Sequence, residues 1–575
     1  RARGPPRGGG PGGRGAPPLA TGEFELVAHL RLRRVASFEK LFWEIADPEN
    51  PKYLKFLSLE DVASFIGAAD PDVAAAKAWL LDLGGRPSSL RVSPLRDSVT
   101  ARFASASADG GRLRGEQWSR LSEGKPAAVA FVVRRDTLPE RREQVSSARK
   151  PRPVSSSVGD SYTIGHIKNA YGIPTDLQAS NDATLQMVWG PGTFGYSPTA
   201  LSIHKYTQCP LLNTKKVKFD TENHGVSGGD NFGEGNLDTK MIASFGLNVE
   251  TLVSNTNTSS STEEGEGFGQ AFLDFVTQLA SRSTLPQVLS LSLGSLGAAA
   301  CDLLCKEVVK KGHSAEECQA YLQQQRQVCM FLSEPQLARI NVALQVLGTR
   351  GVTVFGSSGD GGSHFSFEKF MGGPIADALN EVACAYQMPV FPTASPFIVS
   401  VGGTMWSGGS SSRMAWEMGG SGTGGGFSWQ FSMPAYQQAA VSSYMANATG
   451  IPPQSSFNRQ GRAYPDLSAV GVMGTSQSCP IVAGIFSMLV DQRLNNKLPP
   501  LGFVAPRLWK VAREHPGEAF ADITQGSTKS SCDNGFPATA GWDAVTGWGD
   551  PVWSGLLKHL GSDAQAAREG VAIVV

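Results

Sequence analysis

No stretch of this chain holds the roughly 18 to 20 consecutive apolar residues that a helix needs to cross a bilayer, so no membrane span is expected. The most apolar runs, PAAVAFVV and VLSLSLGSLGAAA, read as buried strands. Neither charge is in excess, since Lys plus Arg and Asp plus Glu both number 51. That balance gives no support to a nucleic-acid or other polyanion partner. No CxxC pair is present, which argues against a cysteine zinc site. No internal repeat is visible. What is present is length: 575 residues can bury a sizeable core and fill more than one domain. The apolar fraction, 41%, is that of a soluble globular protein, and 66 glycines imply many tight turns.

The eight cysteines are unevenly placed, with Cys301, Cys305, Cys318 and Cys329 in one short segment. Cys301 and Cys305 are one helical turn apart. Cys318 and Cys329 are about three turns apart, so both would fit one helix face. Two helices clamped by two disulfides fit an oxidising compartment; four free thiols in an amphipathic insertion are the alternative. Asn257 and Asn447 head glycosylation triplets, a pattern that also arises by chance.

Composition divides the chain. Residues 1–21 are Gly/Pro/Arg-rich, without the apolar core of a signal peptide, and are expected to be disordered. A signal already removed, or a start outside this sequence, would both fit. Residues 22–134 read as a small α+β unit. FELVAHL alternates like a strand, and SFEKLFWEIAD has helical periodicity with Ser37 as its N-cap. SLEDVASFI and DPDVAAAKAWLLDLG repeat the cap-plus-helix form, the second with a glycine stop. Residues 135–159 are basic and Pro/Ser-rich, as an exposed, cleavable linker would be. From 160 to 561, short apolar runs ending in Gly/Ser alternate with helical stretches. That alternation predicts an α/β domain with a mostly parallel sheet flanked by helices. The cysteine-rich insertion spans about 300–332, and 562–575 read as a tail.

GVMGTSQSCPIVAG, residues 471–484, has the form of a subtilisin-like nucleophile turn around Ser476. A serine hydroxyl needs a base. His224, in NHGVSGG, lacks the usual HGTHVAG continuation, and no DTG-type Asp strand precedes it. Glu234 and Asp238, spaced i, i+4, fall on one helix face within reach of each other. Paired carboxylates share protons, so one of them can serve as a general base; a solvated helix face is the plain alternative. VFGSSGD sets Asp360 at a strand's carboxyl end, where ligands bind in parallel sheets.

Glu-x-x-x-Asp, then SSGD, then GTSxS resembles the sedolisins, the serine-carboxyl peptidases, and the resemblance covers nearly the whole chain. LFWEIADPENPKYLKFLSLEDVASFI looks like their activation prodomain and YTIGHIKNAYGI like the start of their mature enzyme. FPTASPFIVSVGGT, GGGFS and GRAYPDLSAV are similar to their core landmarks. The wording is nearest to the family's lysosomal, tripeptide-releasing branch. The resemblance implies a subtilisin-like catalytic domain behind a small α+β prodomain. Ser476 would be the nucleophile, Glu234 its base, Asp238 the residue behind that base, and Asp360 the oxyanion-hole acid. A carboxylate would repel a developing oxyanion, so Asp360 must be protonated to donate to it, and an acidic working pH follows.

FADITQGSTKSSCDNGFPATAGWDAVTGWGDP is similar to the family's calcium loop. One Ca²⁺ would take the side chains of Asp522 and Asp543 and the carbonyls of Ile523, Thr539 and Gly541, an all-oxygen set. The family more often has Gly at the position of Thr539, which would matter if the backbone there needed a positive φ. Two further departures stand near the nucleophile. Met473 replaces a usual Ser, and only Leu467 to Met473 join Asp466 to Gly474, a reach of about 25 Å at most. That is room for one strand rather than a hairpin. The expected protein is an acid-active serine peptidase made as a zymogen, lysosomal, vacuolar or secreted. Its partners would be peptide or unfolded-protein substrates and its own inhibitory prodomain. An endopeptidase, or an impaired pseudopeptidase acting as a binding protein, is the alternative.

Overall fold

The computed structural model describes residues 23–104, 124–136, 162–192, 194–220, 233–256, 260–261, 267–324, 328–365, 373–408 and 412–562. The tail at 1–21, nearly all of the 135–159 linker, His224, Asn257 and all but the first residue of the 562–575 tail lie outside them.

The N-terminal unit is an antiparallel sheet accompanied by three helices. Strand β1 (Glu23–Leu30) sits centrally, and β2 (Arg91–Val92) lies at the edge beyond β3 (Ser98–Ala104). Strand β4 (Val129–Asp136) flanks the other side of β1. The helices are α1 (Val35–Ala46), α2 (Leu59–Ile66) and α3 (Asp70–Asp82). Period-2 alternation divides the faces of β1. Leu26, Ala28 and Leu30 pack on Val73, Ala76 and Leu80 of α3. Val27, with Phe131 and Val133 of β4, joins the main core of the molecule. Both faces are therefore covered, which is why β1 is buried almost throughout.

Of the three helix starts expected in this unit, a local cap sets one. Ser58 and Asp61 form a reciprocal capping box on α2. Ser37 does not cap α1: the helix starts two residues earlier, at Val35, after Arg34 in the left-handed region (φ 48°). Val35 and Leu32 pack against the main core, and that burial outweighs the lost side-chain cap. Asp70 is the first residue of α3 rather than its cap, with Pro71 in the first turn, where its missing N–H is harmless.

The second unit holds an eight-stranded sheet. Its strands are β5 (Leu185–Pro191), β6 (Val217–Phe219), β7 (Glu250–Thr256), β8 (Val288–Leu291), β9 (Thr353–Ser357), β10 (Val399–Trp406), β11 (Arg413–Ala415) and β12 (Leu467–Val470). The order is β6-β7-β5-β8-β9-β10, with β11 and β12 both on β10, and every pairing is parallel except β10 with β11. The order reverses beside β5, which opens a crevice at the carboxyl ends of β5 and β8. Helices α4 (Gly233–Phe245), α5 (Phe268–Ala280), α6 (Ala298–Val309), α7 (Ala315–Gln324), α8 (Glu334–Thr349) and α9 (Thr475–Asn495) flank the sheet or extend from it. In VLSLSLGSLGAAA, Val288–Leu291 is a strand of the main sheet, Ser295–Leu296 forms a separate two-residue strand, and Ala298–Ala300 open α6.

The disulfides Cys301–Cys329 and Cys305–Cys318 join α6 to α7 and to the segment after α7. Cys318 and Cys329 do not share a helix face. Cys329 lies beyond α7 in an extended segment bridged to Leu296, because its partner Cys301 sits at the other end of the hairpin. A third disulfide, Cys384–Cys532, joins residues 148 apart, and Cys209 and Cys479 are buried free thiols.

The two units share a broad contact. Phe42 of α1 meets Phe397 and Phe503 at ring-centroid distances of 5.3 and 5.1 Å. Arg339 of α8 reaches across to Asp97 Oδ2 (3.1 Å), the Asp97 carbonyl (3.0 Å) and the Leu30 carbonyl. Arg135 pairs with buried Asp274 at 2.8 Å. Residues Ser260–Ser261 add a short strand to the outer edge of β4, so the N-terminal sheet continues into the second unit.

Candidate active site

Ser476 lies in the first turn of α9, immediately after β12. Seven residues do span from Asp466 to Gly474 with one strand and a turn. Gly474 is required there twice over. Its φ is +97°, and a Cβ would stand 2.6 Å from Asp360 Oδ2. Met473 is 63% exposed, and its backbone N–H donates to Gln477 Oε1 at 3.1 Å. Further along α9, Pro480 cannot donate to the carbonyl four residues back, which belongs to Ser476. The hydroxyl of Ser292, just after β8, faces that freed carbonyl at 3.5 Å.

Helix α4 brings Glu234 and Asp238 to the same place. It crosses α9 at Gly484, where a Cβ would stand 2.7 Å from the Ile242 carbonyl oxygen. At its start, Gly235 lies against Gly195, where a Cβ would stand 2.0 Å from the carbonyl oxygen. Two glycines thus let the Glu234 helix approach closer than any side chain would allow. Asp238 is wholly buried.

The electrostatics follow from that burial. Desolvation pushes Glu234 above the usual carboxylate range, the nearby Ser476 hydroxyl opposes the shift, and the charge of Asp360 adds to it. Asp238 is pushed well above its usual range by burial first and by Glu234 second, with the Ser292 hydroxyl opposing. The hydrogen bonds of this conformation are different: Ser476 Oγ donates to the Ser292 carbonyl at 3.4 Å, while Glu234 Oε1 and both Asp238 oxygens have no partner. A hydroxyl is a rotor, and Ser476 lies near enough to Glu234 to turn from one acceptor to the other.

Asp360 lies three residues past β9, beside Gly474 of the Ser476 turn. Its Oδ1 accepts from the Thr475 N–H and the Thr475 hydroxyl, both at 2.8 Å. The Thr475 hydroxyl in turn accepts from the Gly359 N–H at 3.1 Å. The structure thus brings Ser476, Glu234, Asp238 and Asp360 to one crevice from three separate segments: α4, the turn after β9 and the start of α9. Sequence reasoning did not single out Ser292, Thr475 or Gly484. Ser292 had a usable signal, a hydroxyl at the carboxyl end of a strand. The crossing at Gly484 had none.

The expected metal residues also converge. Asp543 is wholly buried and pushed up to about 8, chiefly by desolvation, with Asp522 contributing like charge. The N–H groups of Thr539 (2.8 Å), Val545 (3.1 Å) and Thr546 (2.8 Å) donate to Asp543, and Gly541 N–H donates to Asp522 Oδ2 at 2.8 Å. Thr539 is not among the described residues with positive φ, so the missing glycine costs nothing there. Gly541 does have a positive φ, +82°.

Residues 17–109 match the pro-kumamolisin activation domain family. Over 585 residues the chain is 28% identical to tripeptidyl-peptidase 1 of Canis lupus familiaris, covering 94% of this chain and 92% of that relative. The tripeptidyl-peptidase 1 of Homo sapiens is 27% identical over 587 residues, with the same coverage of 94% and 92%. Among solved structures, Pseudomonas sedolisin, a serine-carboxyl proteinase in complex with two molecules of pseudo-iodotyrostatin, is 21% identical. It matches with a TM-score of 0.47 over 70% of this chain and 98% of its own.

Proposed function

We propose that this chain, a sedolisin-family peptidase, is an acid-active zymogen whose cleft hydrolyses peptide bonds through Ser476, Glu234, Asp238 and Asp360. The single observation that carries this reading is the approach of the Ser476 hydroxyl to a buried Glu234, close enough to move that carboxyl's proton affinity. Glu234 removes the hydroxyl proton as Oγ attacks the substrate carbonyl carbon. Asp238, buried and holding its proton, donates to Glu234 and fixes its orientation. Protonated Asp360 donates to the oxyanion of the tetrahedral intermediate, and the N-terminal end of α9 adds its positive dipole. Glu234 then protonates the leaving amine, and water repeats the sequence on the acyl-enzyme.

Acid pH serves both carboxyl roles. It keeps Asp360 a donor, while some Glu234 is still ionised and able to accept. The solvent-facing side chain of Met473 leaves the Ser476–Glu234 approach open, which favours an active site over an impaired one. Cleavage within the 135–159 linker would release the N-terminal unit as an activation domain. Removal of tripeptides from free N-termini is the specificity suggested by the likeness to tripeptidyl-peptidase 1.

The donors at the calcium loop fit the ion. They are oxygens only, and a buried carboxylate beside a like-charged one calls for a cation. Asp522, Asp543 and the carbonyls of Ile523, Thr539 and Gly541 would hold it. The ion would supply the missing positive charge and pin the loop. EGTA should therefore lower the melting temperature at pH 7, and added Ca²⁺ should restore it.

The deciding experiment acidifies the purified proenzyme in steps and follows its size, its turnover and the masses of products from one long peptide. Turnover that rises toward acid pH, yields tripeptides and vanishes in Ser476→Ala and Glu234→Gln supports the reading. A neutral optimum, or turnover that survives Ser476→Ala, overturns it.

A further inference from the structure

Away from the cleft, one cluster of described residues combines nitrogen and carboxylate donors at metal-binding range. His515 ends α10 (Ala505–Glu514), Glu518 follows it, and His559 lies in the last turn of α11 (Trp553–Leu560). The two imidazole rings stack, with centroids 4.3 Å and planes 25° apart. Glu518 lies at their edges, with Oε2 2.8 Å from His559 Nε2 and Oε1 3.8 Å from His515 Nδ1. One donor atom from each residue lies within 4.8 Å of the other two. We propose that His515, Glu518 and His559 form a binding site for a zinc-type divalent transition metal, with water completing its coordination.

The chemistry selects the class of ion. Two imidazoles and one carboxylate make up a three-ligand zinc set, and Ni²⁺ and Cu²⁺ share the preference for imidazole. Calcium takes oxygen ligands and is a poor match. A tetrahedral centre about 2.0–2.1 Å from each donor needs donors about 3.4 Å apart. The three donor atoms, one per residue, lie within 4.8 Å of one another, so side-chain rotation has to close the set by at most about 1.4 Å.

One group competes. Lys558 Nζ stands 2.7 Å from Glu518 Oε2, but its side chain is 64% exposed, and an exposed ion pair of this kind is weak. Metal binding would turn Lys558 out into water. The site also has a mechanical setting. Arg507 of α10 donates to the Tyr53 hydroxyl at 3.2 Å and to the His559 carbonyl, and Lys510 pairs with Glu49 at 2.6 Å. A bound metal therefore clamps α11 to the helix that carries contacts to the N-terminal unit. None of this depends on the peptidase reading.

The test is calorimetric titration of zinc chloride into the full-length Ser476→Ala protein at pH 7.5. His515→Ala and His559→Ala should each weaken binding at least tenfold, and Lys558→Ala should tighten it several-fold by removing the competitor. Bound Cu²⁺ should show two coupled nitrogens by electron paramagnetic resonance, and one in either histidine variant. Circular dichroism melting of each variant separates lost ligands from lost fold. Zinc affinity that is unchanged in both folded histidine variants, or no zinc binding in the parent, overturns the proposal.

Discussion

Asp238 is a wholly buried carboxyl group, and neither of its oxygens has a hydrogen-bond partner among the described residues. Its pKa is raised in the folded chain, so between its unfolded value near 4 and that raised value the native state binds the extra proton. Stability then falls as pH rises through that window and is recovered in acid. Asp238→Asn, which removes the ionisable group and keeps the shape, should melt higher than the parent at pH 7. The gain should vanish toward pH 4, and thermal melts at the two pH values measure it. Its turnover should drop at the same time, because an amide cannot share a proton with Glu234. This trade of stability for a working carboxyl is common where catalytic groups are buried. The four proposed catalytic residues were legible in the sequence because each sits in a short local pattern: ExxxD, the strand-end SSGD and GTSxS. The roles of Ser292 and Thr475 were not, although Ser292 stands at a strand's carboxyl end. Their roles arise from which carbonyl Pro480 frees and which carboxyl Gly474 admits, and those are facts of three-dimensional approach.

Among the elements, the crossing of α4 and α9 sets the distance between base and nucleophile. Gly484→Ala places a methyl 2.7 Å from the Ile242 carbonyl oxygen and 2.8 Å from the Gly246 N–H. It should cost about 1–3 kcal/mol, read by urea unfolding, and lower turnover by moving Glu234 away from Ser476. Disulfides divide by the length of loop they close. Cys301–Cys329 and Cys305–Cys318 close 28 and 13 residues within one hairpin, whereas Cys384–Cys532 closes 148. Loss of the long one, by the double replacement Cys384→Ala and Cys532→Ala, should cost about 2–5 kcal/mol. Chemical denaturation of the folded double variant checks it. The alternating pattern of the parallel sheet was readable along the chain, since each strand and helix carries its own apolar period. The start of α1 and the place of Cys329 were not, because tertiary burial outweighed a local cap in one case and a distant cysteine partner decided the other. Nothing near Cys384 in sequence points to Cys532.

At the scale of the whole molecule, the contact between the two units holds a histidine with nowhere to put a proton. His29 of β1 is 1% exposed, stacks on Phe131 at 4.5 Å, and neither ring nitrogen has a partner. It lies on the face of β1 that meets the second unit. Its basicity falls well below that of a free imidazole, through burial first and then the charges of Arg339 and Arg135, which pair with Asp97 and Asp274. A freed His29 would protonate near pH 6.5 and the docked one only far lower, so docking loses about 1.4 kcal/mol per pH unit below about 6.5. His29→Phe keeps the stack without the proton and should move the midpoint of acid activation to lower pH, followed as prodomain release on gels; an unmoved midpoint rejects the role. The continuation of the N-terminal sheet into Ser260–Ser261 has a kinetic consequence. A cut in the proposed linker would remove the tether but leave the hydrogen-bonded seam and the two arginine pairs in place. Separation then obeys mass action, so the severed piece competes with substrate, and dilution should hasten activation where crowding of the enzyme with its own fragment delays it.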